Sequence, residues 1–306
     1  MLLLCSLGVL AQASETDAPT KTIRLLTIGN SFAVNISAYL PQITQAGGYK
    51  LVLCGANIGS CSLEKHWKLA ELHEANPTDA NGMPYAIRKN LCGLKEALQL
   101  EPWDYVSIQQ YSMLSEDVST YRPYARNLYD YIRKYAPRAE VLMFETWPYR
   151  NDDPKFHDGK QSAASMYRAL SSAYRTIASE LGVRMLPVGD AFALAANDPS
   201  FTYAPDTAFD FTQAKYPALP DQTHSLHAGW SWAKDQKTGE YALRMDGHHA
   251  NQAGQYLGGL IFFARLTGQS VVGNTFIPKG MSAQDARALQ TIADRAVGQR
   301  VIEEAK

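Results

Sequence analysis

No block of Lys or Arg stands anywhere in this 306-residue chain, and 29 Lys+Arg against 30 Asp+Glu leave a net charge of −1. A nucleic-acid partner is excluded on that ground, because phosphate binding leaves a basic footprint. Charged residues make up only 19% of the chain while hydrophobic residues reach 46%, which excludes disorder, a collagen-like repeat and a coiled coil. Cysteine is scarce, four in all with no C-x-x-C spacing, so a zinc finger is excluded. No hydrophobic run reaches the roughly 20 residues that a membrane span needs. Internal repeats and low-complexity tracts are absent as well.

What is present begins with Met1 to Ala13, almost wholly apolar and closing on Ala11-Gln12-Ala13, the small-x-small pattern of a secretory signal peptide. No basic residue precedes Lys21. The expectation is a mature chain that is secreted or periplasmic, with residues 14–22 as a linker. Lipid attachment at Cys5 is the competing fate, although Leu2-Leu3-Leu4 lacks the small residue such sites carry. After cleavage Cys54, Cys61 and Cys92 remain. Two of them could pair in an oxidising compartment, or all three could serve as small buried hydrophobes.

Short apolar runs then alternate with stretches of helical period. Ile23–Ile28 is closed by Gly29 and Lys50–Cys54 by Gly55; Asp104–Ile108, Val141–Phe144 and Val183–Val188 follow. Between them Tyr124, Leu128, Ile132 and Tyr135 recur at helical spacing, as do Met166, Leu170, Tyr174, Ile177 and Leu181. Tyr256 to Ala264 carry a broad apolar helical face, and Ser282-Ala283-Gln284-Asp285 opens a final helix. Five strands with intervening helices predict a parallel sheet covered on both faces. Residues 70–90 and 197–245 fit neither period; the second is rich in aromatics and is expected to be a long functional loop.

Open parallel sheets build their sites at the carboxyl ends of their strands. Gly29-Asn30-Ser31-Phe32 stands directly after the first strand, where a serine is pushed out of the sheet beside backbone N–H groups able to hold an oxyanion; the bland alternative is that Asn30 or Ser31 merely caps the next helix. Asp246-Gly247-His248-His249 precedes the strong apolar helix. A histidine base needs a carboxylate to set its tautomer, and D-x-x-H supplies both from one turn. His248 competes with His249 for that role, the three-residue spacing to Asp246 favouring His249. The order Ser31, Asp246, His249 is the Ser, Asp, His order of one class of hydrolases.

Taken together these blocks resemble the SGNH (GDSL-like) hydrolase superfamily. Gly29-Asn30-Ser31-Phe32 is similar to its first block, and Asp246-x-x-His249 followed by Asn251 and Gly254 to its last. Asn57-Ile58-Gly59-Ser60-Cys61-Ser62 is similar to the second block, which lends a backbone N–H to the oxyanion; the match puts Ser60 at the donor position, with Gly59 beside it and serine in place of the family's glycine. The third block, G-x-N-D in the family, is missing. Ser107-Ile108-Gln109-Gln110-Tyr111-Ser112 resembles instead the Q-G-E-S stretch of sialate and acetylxylan esterases, in which a Gln amide replaces the Asn; the match favours Gln109 over Gln110.

The resemblance spans residues 23–268, with 197–245 as an insertion and 269–306 as a C-terminal extension ending in a helix. It implies a three-layer α/β/α flavodoxin-like sandwich around a five-stranded parallel sheet. It also implies a serine esterase in which Ser31 is the nucleophile, His249 the base, Asp246 its orienter, and Ser60, Gly59 and Gln109 the oxyanion donors. No cofactor and no metal is needed for this chemistry. Export, the esterase likeness and the aromatics of 197–245 point to O-acyl, chiefly O-acetyl, groups on a carbohydrate as substrate. Two other readings stand beside it: a glycan-binding protein on an inactive scaffold of the same kind, and a metal hydrolase using His224-x-x-His227 with Asp246, His248 and His249. His66, His73 and His157 are expected to be surface or packing residues.

Overall fold

The computed structural model describes residues 21–304; the expected signal peptide, residues 1–13, lies outside them. Strand β1 (Lys21–Gly29) is followed by helices α1 (Ser31–Ser37) and α2 (Leu40–Ala46), β2 (Tyr49–Asn57) and α3 (Leu63–Ala75). A short hairpin of β3 (Tyr85–Ile87) and β4 (Asn90–Cys92) leads to α4 (Leu94–Gln99), β5 (Tyr105–Ile108), α5 (Tyr124–Tyr135) and β6 (Glu140–Glu145). Then come α6 (Ala163–Leu181), β7 (Arg184–Pro187), α7 (Val188–Ala196), β8 (His227–Lys234), β9 (Tyr241–Ala250), α8 (Gln252–Thr267) and α9 (Ala283–Glu304).

The central sheet runs in the order β2-β1-β5-β6-β7, and the four pairings are all parallel. Counting only its own strands in chain order, this is the 2-1-3-4-5 order of flavodoxin-like sheets. Leu25, Leu26, Ile28, Val106, Ile108, Leu142, Met143, Phe144 and Leu186 are buried, so these strands face apolar layers on both sides and read as continuous apolar runs. Helices α3, α4, α5 and α6 pack in succession, while α8 packs against α1, α2, α7 and α9. Helix α9 adds Ala286, Leu289, Ile292, Ala293 and Ala296 to the same buried core.

The register decides where a site can form. Gly29 pairs with Asn57, Ile28 with Ile108, and Glu145 with Pro187, so the strands finish at one edge. The order reverses between β1 and β5, the switch point at which ligands are taken in open α/β sheets. Ser31 follows β1 and Gln109 follows β5, placing both at that point.

Two segments differ from expectation. Residues 197–245 are not one loop: β8 and β9 form an antiparallel hairpin that carries Asp246 and His249 on its second strand. Only one face of this hairpin is covered, so its apolar residues form no continuous run. Residues 70–90 hold the end of α3 and the start of the β3–β4 hairpin, too short to show a period. Cys54, Cys61 and Cys92 are free thiols. Among the described residues no helix is long and apolar enough to cross a membrane.

Candidate active site

Asn30 is built into the turn that presents Ser31. It is buried, its Oδ1 accepts from Phe32 N at 3.0 Å as the cap of α1, and its Nδ2 donates to Cys61 O at 3.1 Å. Gln109 Nε2 donates to the same Asn30 Oδ1 at 3.0 Å. A Cβ at Gly29 would stand 2.6 Å from Gln109 Oε1, so the close approach of that side chain requires glycine there. His66, fully buried, holds the strand end: its Nε2 lies 2.9 Å from Gly29 O and its Nδ1 2.8 Å from Tyr85 OH. A carbonyl only accepts, so Nε2 carries the proton and Tyr85 donates to Nδ1. Burial pushes this imidazole down to about 4 against the pull of Gly29 O, which keeps it neutral.

The other end of the chain comes to the same place on β9. His249 Nε2 is 2.8 Å from Ser31 Oγ, and its Nδ1 is 2.9 Å from Asp246 Oδ2. Ser31, Asp246 and His249 are therefore one hydrogen-bonded chain. Asp246 Oδ1 also accepts the backbone N–H of His249 at 3.0 Å and of His248 at 3.3 Å. Burial alone would raise the Asp246 carboxyl; the hydrogen bonds from His249 outweigh it and, with the nearby imidazoles, hold it well below the usual carboxylate range. His248 Nδ1 lies 3.2 Å from Asp246 Oδ1, and its ring sits 4.2 Å from that of His249 between centroids. Burial lowers the His248 pKa and favours the neutral ring.

Residues that the sequence left unmarked fix this strand. Asn35, one turn along α1 from Ser31, accepts from Ala250 N at 3.0 Å. Trp147 Nε1 donates to His248 O at 2.9 Å, and Arg150 N to Gly247 O at 2.7 Å. Phe32 stacks on Trp147 with centroids 4.3 Å apart and meets His249 edge-on at 6.0 Å. A side chain at Gly247 would collide with the Asp153 carboxylate, hence glycine. The signal that could have found Trp147 and Arg150 is Glu145-Thr146-Trp147-Pro148-Tyr149-Arg150, a polar and aromatic stretch at the end of an otherwise apolar strand.

The expected oxyanion donors divide. Gly59 and Ser60 are exposed, in a loop tied to β1 by Ile58 N to Gly29 O at 3.1 Å, and neither backbone N–H has a partner among the described residues. Ser31 N likewise has none. Ser60 has φ of 54°, the left-handed region that favours glycine. Gln109, by contrast, is 1% exposed and its amide is directed at Asn30. Its placement makes it a support for the serine turn and not a group turned to solvent. Gln110 is spent as well, accepting from Leu63 N and Tyr111 N and donating to Thr120.

The metal set is not assembled. Asp246, His248 and His249 are the one His/acid group among the described residues whose ligand atoms lie within 4.8 Å of one another, and two of its members are engaged with each other and with Ser31. His227 is turned to Pro148 O at 2.9 Å and His224 lies 3.4 Å from Asp285, so neither joins it. His66 and His73 are buried, the latter on Glu96 at 2.9 Å, and His157 is exposed. Trp230 and Trp232 pack with their own segment, on Phe211 at 4.7 Å and Tyr216 at 6.2 Å.

A switch-point serine on a 2-1-3-4-5 sheet, with D-x-x-H brought to it from the far end of the chain, belongs to an α/β protein of flavodoxin-like topology. The chain belongs to the DUF4886 family, a domain of unknown function whose model matches residues 24–198. It resembles the crystal structure of a DUF4886 family protein from Bacteroides uniformis, with 24% identity, a TM-score of 0.68, and coverage of 90% of this chain and 95% of that one. Its structural neighbours include SGNH and GDSL-like hydrolases. One from Slackia heliotrinireducens, described as an SGNH hydrolase, shows 22% identity and a TM-score of 0.47 over 79% of this chain and 98% of its own. The lipase/acylhydrolase from Enterococcus faecalis shows 13% identity and a TM-score of 0.44 over 80% and 96%. At these identities the likeness is one of fold. No curated protein matches the chain.

Proposed function

We propose that the chain is a serine ester hydrolase acting through Ser31, His249 and Asp246. The observation that carries this is the unbroken relay from Ser31 Oγ through His249 Nε2 at 2.8 Å to Asp246 Oδ2 at 2.9 Å from Nδ1. With Nδ1–H donated to the carboxylate, Nε2 is left as the acceptor that Ser31 O–H needs. Ser31 Oγ attacks the ester carbonyl and its proton passes to Nε2. The tetrahedral oxyanion takes hydrogen bonds from the free backbone N–H groups of Ser31 and of Gly59 or Ser60. His249 then returns the proton to the departing alcohol oxygen, leaving an acyl ester on Ser31. Water, deprotonated by the same nitrogen, releases the acid and restores the serine.

The proposed substrate is an O-acyl, chiefly O-acetyl, ester on a carbohydrate, met by a secreted or periplasmic enzyme after removal of residues 1–13. Support for it comes from the apolar leader and from the resemblance of the Gln109 stretch to carbohydrate esterases.

The test is release of p-nitrophenol from its acetyl ester, alongside fluorophosphonate labelling, by the wild-type chain and by Ser31→Ala. Turnover and label that both vanish in the variant are the expected result. A folded wild-type chain that neither turns over nor labels would overturn the proposal, and loss of turnover with a chelator would move it to metal chemistry.

A further inference from the structure

A cleft of about 740 Å³ opens between α6, α7, the chain after β6 and residues 197–227. Ser31, Asp246 and His249 do not line it. Its size falls in the range of small-molecule sites, about 300–1,000 Å³. Its aromatic walls are held from behind. Phe192 stacks on Trp147 at 4.8 Å, Phe201 lies 4.7 Å from the His224 ring, and Tyr203 is pinned by its hydroxyl on Asp152 and by the Arg150 guanidinium 4.7 Å over its ring.

One polar atom of this lining, on His227, is without a protein partner among the described residues. His227 is 9% exposed and its Nε2 lies 2.9 Å from Pro148 O, so Nε2 carries the proton and Nδ1 is a bare acceptor. Burial pushes the ring down to about 4, which keeps Nδ1 unprotonated near neutrality. Nδ1 makes no hydrogen bond to the described residues. Open to the cleft, it is an acceptor for an O–H or N–H donor of a ligand. At the rim, Arg168 is exposed and has no acid partner among the described residues. Neighbouring acids are taken: Asp152 by Arg150 and Tyr203, Asp285 by His224.

We propose that this cleft is a second ligand site that binds a sugar acid, a small hydroxylated carboxylate. A hydroxyl donates to His227 Nδ1, the carboxylate pairs with Arg168, and the C–H face of the ring lies on Tyr203. A plain aromatic acid would satisfy the rings and Arg168 but leave Nδ1 without a donor. A neutral sugar would leave Arg168 unpaired. The site stands independently of the ester hydrolase reading, since no residue of the triad belongs to it.

The test is calorimetric titration of the full chain with sodium glucuronate, with glucose and benzoate as the two partial matches. Glucuronate is expected to bind, and each partial match to bind about tenfold more weakly or worse, as for the loss of one charge-assisted or buried hydrogen bond. Arg168→Glu, a change at an exposed side chain, should weaken glucuronate by a similar factor, and Ser31→Ala should leave it unchanged. The proposal is overturned by absence of glucuronate binding, by equal binding of benzoate, by equal binding to Arg168→Glu, or by loss of binding in Ser31→Ala, which would place the ligand on the triad.

Discussion

Replacing Asp246 by Asn changes one atom and removes the base from the proposed mechanism. Asp246 Oδ1 accepts two backbone N–H groups, from His248 and His249, and these cannot accept in return. In Asp246→Asn the carbonyl oxygen must therefore take that position, and the new NH₂ group falls where Oδ2 faced His249 Nδ1 at 2.9 Å. An amide N–H there needs a lone pair on Nδ1, which drives the imidazole to the tautomer protonated at Nε2. That proton points at Ser31 Oγ, 2.8 Å away, and the serine loses its acceptor. The loss should be about 10⁴-fold in kcat, about 5.5 kcal/mol of barrier at 1.36 kcal/mol per tenfold. KM should change little, because Asp246 sits behind the imidazole and touches no substrate. The assay is initial-rate hydrolysis of p-nitrophenyl acetate near neutral pH, with fluorophosphonate labelling rate as a second reading and a thermal melt to establish that the variant is folded. A folded variant within about tenfold of wild type would refute the assignment of Asp246 and His249 as orienter and base.

Two further perturbations separate support from chemistry. Gln109→Ala deletes a buried hydrogen bond to Asn30 and should cost about 1–3 kcal/mol in urea unfolding, with turnover falling as the serine turn loosens. Unchanged stability with a rate loss of about a hundredfold would instead return the amide to the oxyanion hole. Glu145 is fully buried, its Oε2 accepting from Asp190 N at 3.0 Å and its Oε1 without a partner, and burial followed by the charge of Asp190 raises its pKa above the ordinary 4.5. A carboxyl raised on folding contributes its stability fully below the unfolded value and loses it as pH climbs through the folded one. Glu145→Gln cannot ionise and keeps the acceptor for Asp190 N. Its urea stability should fall less than that of wild type between about pH 5 and about pH 9, by on the order of 1–3 kcal/mol, and parallel profiles would refute this.

The parallel sheet was legible because strands buried on both faces are written as unbroken apolar runs, such as Leu25-Leu26-Thr27-Ile28. The β8–β9 hairpin was not, because its apolar residues cover one side and its aromatics, Trp230, Trp232 and Tyr241, pack beside Phe211 and Tyr216 of the preceding segment. The same division runs through the candidate site. Ser31, Asp246 and His249 announced themselves by local spacing, since D-x-x-H and a post-strand serine are patterns within a few residues. The groups that hold them did not, because each acts across the fold: Asn35 on Ala250 from 215 residues away, Trp147 on His248 from 101, Gln109 on Asn30 from 79. Gln109 shows what register adds. Its position after β5 matched a donor motif, yet the parallel pairing of Ile28 with Ile108 brings the two strand ends level, and the first polar group the amide meets is Asn30 and not solvent. Local sequence thus marks the candidate groups, while strand register decides which neighbouring polar groups remain free beside them.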